Sequence, residues 1–516
     1  MLRNVGSNWV VALVTAAVTY VVTPFVVHYL GAEGYGTWML ITAITGYMSL
    51  LSLGVPMATV RYLAQHVAEH NTRRMNATIA SCAGLYLVIG GVAAVSGAVM
   101  TIMFEAVYDV PAAWRVQAQV ALGLMVLQVS AGFIGLLPEG ILFAHHDFVR
   151  RNVVRVATVL LRLGLTVGLL ALRSSLVVMA VAQLLCLAFD AGVSMLLIRR
   201  RYPEVRPRLG EFDWPSVRRI FAFSVYVLLL NTGARLSFET DALVIGAVLS
   251  VGAISFYAIA NNIILYLMDF SLAIAAVVSP TATKLKTEGR VEELAATFLT
   301  WSKVALSLCI CAGTFLIVLG PKFIGWWIDP SFEEPSGVVL QILMVSSFAF
   351  LPVRAVALPV LVGLGKPLTP TIAYLAAGVL NLALSIVLAR PLGLAGVALG
   401  TAIPNVLFAI VVLVAACREL DIRVVSYLRY VVPRAALGSL PIVAVLLWFR
   451  LGLQVDAIGG LAAAGGATVL LFAAIWVLFV YRDDPFVDPG PYLLRLCAVS
   501  SGFARRTAFG LVHSKD

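Results

Sequence analysis

Charge is what this sequence has least of. Asp, Glu, Lys and Arg make up 12% of its 516 residues, against about 25% in an ordinary soluble domain. So little charge excludes a soluble enzyme or binding module. The formal net charge is +10, but no basic patch interleaved with aromatics lies outside the apolar runs, so nucleic acid is not an expected partner. Cysteine is also sparse. Cys82, Cys186, Cys309, Cys311, Cys417 and Cys497 fall mostly in apolar segments, and Cys309 and Cys311 would point to different faces of one helix. They read as packing residues, and no disulfide framework is expected. The catalytic signatures GxxxxGK[ST], HExxH and GxSxG are missing. The chain is therefore not expected to hydrolyse ATP, and no cofactor or metal site is expected. The first segment lacks a small-residue cleavage site after a short apolar core, so a retained first span is expected rather than a removed signal peptide.

What is present is hydrophobic: 61% of the chain, in long runs. A bilayer core about 30 Å thick needs roughly 20 apolar residues per helix. On that rule the sequence predicts an all-α integral membrane protein with about 14 transmembrane helices. They lie at roughly 8–30, 37–60, 77–104, 118–143, 153–172, 176–198, 220–248, 253–280, 301–320, 336–363, 370–389, 394–416, 435–450 and 457–480. Lys and Arg test the count. With the N-terminus inside, they crowd the inside loops, and the outside loops hold only Arg115, Arg173, Lys322, Arg390 and Arg450. That asymmetry predicts cytoplasmic N- and C-termini.

The outside loops are short, the longest being "GPKFIGWWIDPSFEEP", 320–335. A basic inside loop, 199–219, separates an N-terminal lobe, 1–198, from a C-terminal lobe, 220–416. Spans 13 and 14 occupy 417–480, and a basic tail 481–516. Within the tail, "PYLLRLCAVSSGFARR" either lies along the membrane surface or is loosely ordered. The turns "LGAEGYG" (Leu30 to Gly36) and "VGAISFY" (Val251 to Tyr257) share Gly-Ala and an aromatic three residues later. They point to a repeat of the two lobes, an arrangement common in transporters.

A helix lining a wet cavity carries polar residues at helical spacing. Span 2 offers Thr42, Thr45, Ser49, Ser52, Pro56 and Thr59, in steps of three and four. Span 1 gives a rougher set in Asn8, Thr15, Thr19 and Thr23. Span 7 gives Asn231, Arg235 and Glu239, and span 8 gives Asn262, Tyr266 and Asp269. Hydroxyls that bond back to their own helix are the plainer reading of the Ser and Thr residues. That reading does not reach Arg235, because an Arg at mid-bilayer costs about 3 kcal/mol on insertion scales. Arg235 and Glu239 are four apart and can pair, while Asp241 points elsewhere. They form either a structural salt bridge or a site at which Arg235 meets an anion and a carboxylate carries a proton or cation. Glu239, Asp241 and Asp269 are the candidates for ion coupling. Arg61, at the end of span 2, is either an interfacial anchor or a contact for an anionic headgroup. Arg354 sits between two prolines in span 10, where a broken helix would make a site. Arg162 and Asp190 are expected to pair with each other. His66 and His70, and His145 and His146, read as solvated loop residues rather than metal ligands.

Two stretches carry a family resemblance. They are "HYLGAEGYGTWMLITAITGYMSLLSLGVPMATVRYLAQ" (His28 to Gln65) and "GLGKPLTPTIAYLAAGVLNLALSIVLARPLGLAGVALGTAI" (Gly363 to Ile403). The second has a Gly-Lys-Pro turn, an Asn early in span 11 and "PLGLAGVALGT" leading into span 12. The first twelve spans resemble the bacterial oligosaccharide flippases, the polysaccharide transporter family. Its superfamily also holds the lipid II flippases and the multidrug and toxin extrusion pumps. The resemblance implies two six-helix lobes in a V around a central cavity, with spans 13 and 14 added, working by alternating access in the bacterial inner membrane. It implies a polyprenyl-pyrophosphate-linked oligosaccharide as substrate, moved to the outer leaflet and handed to polysaccharide polymerase or export machinery. A cationic cavity would hold the pyrophosphate and sugars, and Arg235, Arg61 and Arg354 are the positions that fit, with Asn231, Thr45, Ser49, Ser52 and Asn262 as polar partners. Without a nucleotide loop, uphill transport would draw on H+ or Na+, on the membrane potential, or on consumption of product. A multidrug exporter or lipid II flippase of the same superfamily is the alternative. A pathway polymerase or glycosyltransferase would need a large loop or catalytic domain that is absent.

Overall fold

The computed structural model describes residues 2–52, 54–207, 213–215, 217–218, 232–233, 235–236, 239–453, 457–482 and 484. Among them every regular element is helical. In chain order these are α1 (Leu2–Met48), α2 (Val55–Ala68), α3 (Thr72–Val107), α4 (Arg115–Ala144), α5 (Phe148–Leu172) and α6 (Leu176–Arg201). Then come α7 (Thr240–Val248), α8 (Val251–Thr287), α9 (Val291–Val318), α10 (Gly320–Trp327), α11 (Glu333–Pro352) and α12 (Leu358–Gly363). The last are α13 (Leu368–Glu419), α14 (Val424–Val431), α15 (Pro433–Leu451) and α16 (Ile458–Ile475).

Eleven described stretches are long and apolar enough to cross a membrane. Two of them, Val10–Ser52 and Leu368–Glu419, each cover two of the expected spans. The joins are glycines. Gly31 has φ 66° in α1 and Gly393 has φ 58° in α13. Side-chain-bearing residues rarely adopt such values, so the chain reverses there without a loop. Span 7 falls largely outside the described residues, and α7 is its far end. Ile102, Leu172 and Leu470 are each more than 70% exposed, as expected of side chains that meet lipid rather than water.

The chain divides into two compact units. The first comprises Met1–Tyr266, Phe323–Ser346 and Leu368–Phe408. Its first six spans pack through α3 on α4, α4 on α6 and α1 on α5. The second comprises Leu267–Lys322, Ser347–Pro367 and Ala409–Asp516. It contains α9 packed on α15 and α16. Its most unusual feature is Lys303, 1% exposed. The Lys303 ammonium pairs with Asp484, donates to the Val480 carbonyl at 3.1 Å and lies over the Tyr430 ring. A buried ammonium survives only when paired and hydrogen-bonded in this way, so this cluster fixes the end of the last span to α9.

Candidate functional site

The charged stretch of span 7 lies in the first unit, where the half of α1 after Gly31 meets α7 and α8. A cavity of about 290 Å³ opens there, lined by Thr42, Gly46, Arg235, Glu239, Asn261 and Asn262 among others. Arg235 pairs with Glu239. A Cβ on Gly46 would lie 2.8 Å from a Glu239 carboxylate oxygen and 3.0 Å from an Arg235 nitrogen. The missing side chain at Gly46 is therefore what gives the ion pair its room. Both partners are about a third exposed (30% and 36%), so they are hydrated from the cavity and their mutual attraction is worth about 1 kcal/mol or less. Tyr47 frames the site, bonding Thr240 and donating to the Arg235 carbonyl at 3.3 Å.

Asp241 turns away from that pair. It is 2% exposed and accepts hydrogen bonds from Tyr257 Oη at 2.5 Å and Thr401 Oγ1 at 2.8 Å, with Ser385 Oγ at 3.4 Å. Asn381 Nδ2 donates to Thr401 Oγ1 at 2.8 Å. Asn381 Oδ1 has no hydrogen-bond partner among the described residues, although Asn381 is 1% exposed. A buried acceptor left in this state needs a physical reason. The cluster is a carboxylate and three hydroxyls from α7, α8 and α13, with the Asn381 amide bonded to Thr401. Oxygen donors of this kind replace the hydration shell of a hard cation, and a carboxylate among them can instead take a proton.

The other expected residues are distributed as follows. Asn231 lies outside the described residues. Thr42 lines the cavity but donates to its own helix at Met39 O, 2.8 Å. Thr45 is buried and donates to Ile41 O, and Ser49 donates to Gly46 O, both at 2.8 Å. The expected stripe does not run down one helix. Ser49–Ser52 is a 3-10 turn, and Gly54 at φ 74° restarts the chain as α2. This break removes the regular spacing, so Ser52 is half-buried on the turn and Thr59 is buried against Cys82 and Tyr86. Arg61 is exposed on α2, its guanidinium 5.9 Å from the Tyr62 ring. Arg354 occupies a π-helical turn, Val353–Ala357, so the helix is interrupted where the prolines implied. Arg354 and Asp269 both belong to the second unit, in electrostatic reach of each other. The structure thus groups Arg235, Glu239, Asp241 and Asn262, and separately Arg354 with Asp269.

Two further expectations concern the first lobe. Asp190 does not pair with Arg162. Arg151 takes it at 2.9 Å and also binds Glu139 at 3.0 Å, while Thr158 donates to Asp190 at 3.1 Å. Arg151 is 6% exposed, so the buried guanidinium claims both carboxylates. His66 is not a solvated loop residue: it is buried on α2, with Glu69 at 3.5 Å. The Gln65 amide, with the His66 ring, holds the Glu69 carboxyl below the usual range.

The residues that sequence reasoning missed are Tyr257, Asn381, Ser385 and Thr401. Asn381, Ser385 and Thr401 stand within the stretch that carries the family resemblance, but nothing local ties them to Asp241.

The sequence profile of the polysaccharide biosynthesis protein family matches residues 1–286. The chain belongs to that family. It is 22% identical to the uncharacterized membrane protein EpsK of Bacillus subtilis (strain 168) over 420 residues, covering 78% of this chain and 80% of EpsK. It is 21% identical to a putative O-antigen transporter of Shigella flexneri over 400 residues, covering 75% of this chain and 90% of that one. Among solved structures, the lipid II flippase MurJ in an inward closed conformation superposes with a TM-score of 0.73 at 13% identity, over 92% of this chain and 99% of MurJ. The protein is a multi-pass membrane transporter of this family, not an enzyme.

Proposed function

We propose that this member of the polysaccharide biosynthesis protein family flips a polyprenyl-pyrophosphate-linked oligosaccharide from the inner to the outer leaflet of the bacterial cytoplasmic membrane, by alternating access and coupled to a cation at Asp241. The observation that carries the substrate class is family membership joined to similarity with a putative O-antigen transporter across most of both chains. The physics agrees: a diphosphate with sugars cannot cross hydrocarbon, whereas the polyprenyl tail can stay in it. The cavity beside Thr42, Asn261 and Asn262 offers hydroxyl and amide partners to sugars within a largely apolar wall.

Of the three carboxylates considered for coupling, Asp241 has the surroundings the role requires. Glu239 is held by Arg235, and Asp269 is exposed beside Arg354. Asp241 is buried among hydroxyl oxygens, and the nearby Asn381 has a buried Oδ1 without a partner among the described residues. Na+ or H+ bound there would neutralise the carboxylate and draw α7, α8 and α13 together. Its release would leave a buried charge that favours a different packing.

The test is loss of the gene in its own cell. The reading expects lipid-linked oligosaccharide to accumulate on the cytoplasmic side and surface polysaccharide to disappear. Unchanged surface polysaccharide, with either peptidoglycan precursors trapped or drug sensitivity raised, would move the assignment to a lipid II flippase or a multidrug exporter.

A further inference from the structure

The cavity beside Arg235 is a poor place to hold an anion. Its guanidinium is matched by Glu239, and Asp241 adds a second carboxylate in the same wall. The three together are formally negative.

Positive charge without a counter-ion among the described residues stands instead on α5. Arg151, Arg155, Thr158, Arg162 and Thr166 follow one another in steps of four, three, four and four, which places them on one face of the helix. Val153, Leu160 and Gly164 occupy the opposite face. Val153 is 63% and Leu160 50% exposed, as side chains against lipid would be. At the start of the polar face, Arg151 and Thr158 use both nearby carboxylates, Asp190 and Glu139. Arg155 and Arg162 are exposed, and neither has a carboxylate partner among the described residues. Arg162 has the Cys186 thiol as its neighbour. It lies about 21 Å along α5 from Phe148 at 1.5 Å per residue, well inside the span. A guanidinium this deep is not stable against hydrocarbon, so its exposed head meets water, while Arg151, Thr158 and Thr166 on the same face are buried.

Arg155 and Arg162 are seven residues apart, about 10 Å along the helix axis. Each side chain reaches several ångströms, and a guanidinium binds phosphate oxygens in a bidentate fork. We infer that Arg155 and Arg162 are the diphosphate-holding residues of this transporter, two stations along α5 that take the anionic headgroup of the lipid-linked substrate from the Phe148 end toward mid-span. This rests on the flippase reading above. It moves the anion contact from Arg235, where sequence reasoning put it, to a helix that supplies unbalanced positive charge.

The test uses the full-length protein purified in detergent, with farnesyl diphosphate as the probe and farnesol as the uncharged control. Binding is read by titration, and thermal unfolding checks that each variant is folded. Arg155→Ala and Arg162→Ala should each weaken farnesyl diphosphate binding about tenfold, since a charge-assisted hydrogen bond is worth that much. Arg162→Lys should recover part of the loss. Farnesol binding should not change in any of them. Wild-type-like binding by folded Arg155→Ala and Arg162→Ala, or by Arg162→Gln if the alanine variant fails to fold, overturns the inference and leaves the flippase reading standing. A tenfold loss confined to Arg235→Ala does the same. Wild-type protein that binds farnesyl diphosphate no better than farnesol overturns the inference, and then the gene-loss experiment alone decides the flippase reading.

Discussion

Asp241→Asn separates the charge of the buried cluster from its hydrogen bonds. Asp241 Oδ2 accepts from Tyr257 and Thr401, and Ser385 approaches Oδ1. An asparagine with its amide oxygen in the Oδ2 position keeps the first two bonds, and its NH2 can donate to Ser385 once that hydroxyl turns. Bonds to a neutral acceptor are weaker by about 1 kcal/mol each than bonds to a charged one. The desolvation penalty of a carboxylate that is 2% exposed is recovered at the same time, and that penalty is several kcal/mol. The two effects oppose each other, so the variant should fold and reach the membrane at normal levels. Its cation binding should be gone. A ligand at a hundred times its Kd stabilises a protein by about 2.7 kcal/mol. Wild-type thermal unfolding in detergent should therefore rise in Na+ relative to K+ if Na+ is the coupling ion, and the variant should show no such rise. If H+ is the ion, neither protein responds to Na+. In both cases Asp241→Asn should not export polysaccharide. A variant at normal levels that exports normally would refute the reasoning, because the charge would then have no part in transport.

Other consequences follow from the same geometry. Gly46→Leu places side-chain atoms on the Arg235–Glu239 pair, where even a Cβ is within 2.8 Å; it should reduce export sharply in a complementation assay while the protein stays in the membrane. Arg235→Ala should reduce export by leaving Glu239 without its partner, Arg235→Lys should restore part of it, and Arg235→Ala/Glu239→Ala should export better than Arg235→Ala alone. Asp484→Ala strands the Lys303 ammonium at 1% exposure, a loss of about 3–5 kcal/mol, and should lower membrane levels and thermal stability; Lys303→Met/Asp484→Ala should recover much of both.

Hydropathy made the helices legible because the bilayer imposes a fixed length on each one, and Gly31 and Gly393 mark turns where no loop separates two spans. The charged stretch of span 7 was legible as a site for the same reason, since an Arg in hydrocarbon demands explanation. Its internal division was not. Arg235 and Glu239 are one helical turn apart, but the partners of Asp241 lie 16, 144 and 160 residues away at Tyr257, Ser385 and Thr401, and helical spacing carries no such information. The span 2 hydroxyls misled for a physical reason: periodicity assumes one continuous helix, and the turn at Ser49–Ser52 breaks it. The α5 face was legible by the spacing rule itself. Arg162 taken alone suggests a pair with Asp190, and the face shows only with Arg151 and Arg155 on the same side.

The most direct test of the account is the leaflet position of lipid-linked oligosaccharide in cells carrying this gene, carrying Asp241→Asn, or lacking the gene. Measured by protection from a membrane-impermeant glycan-cleaving enzyme added to spheroplasts, the oligosaccharide should be accessible with the wild-type gene and protected in the other two. Accessibility that does not change when the gene is removed would contradict the account.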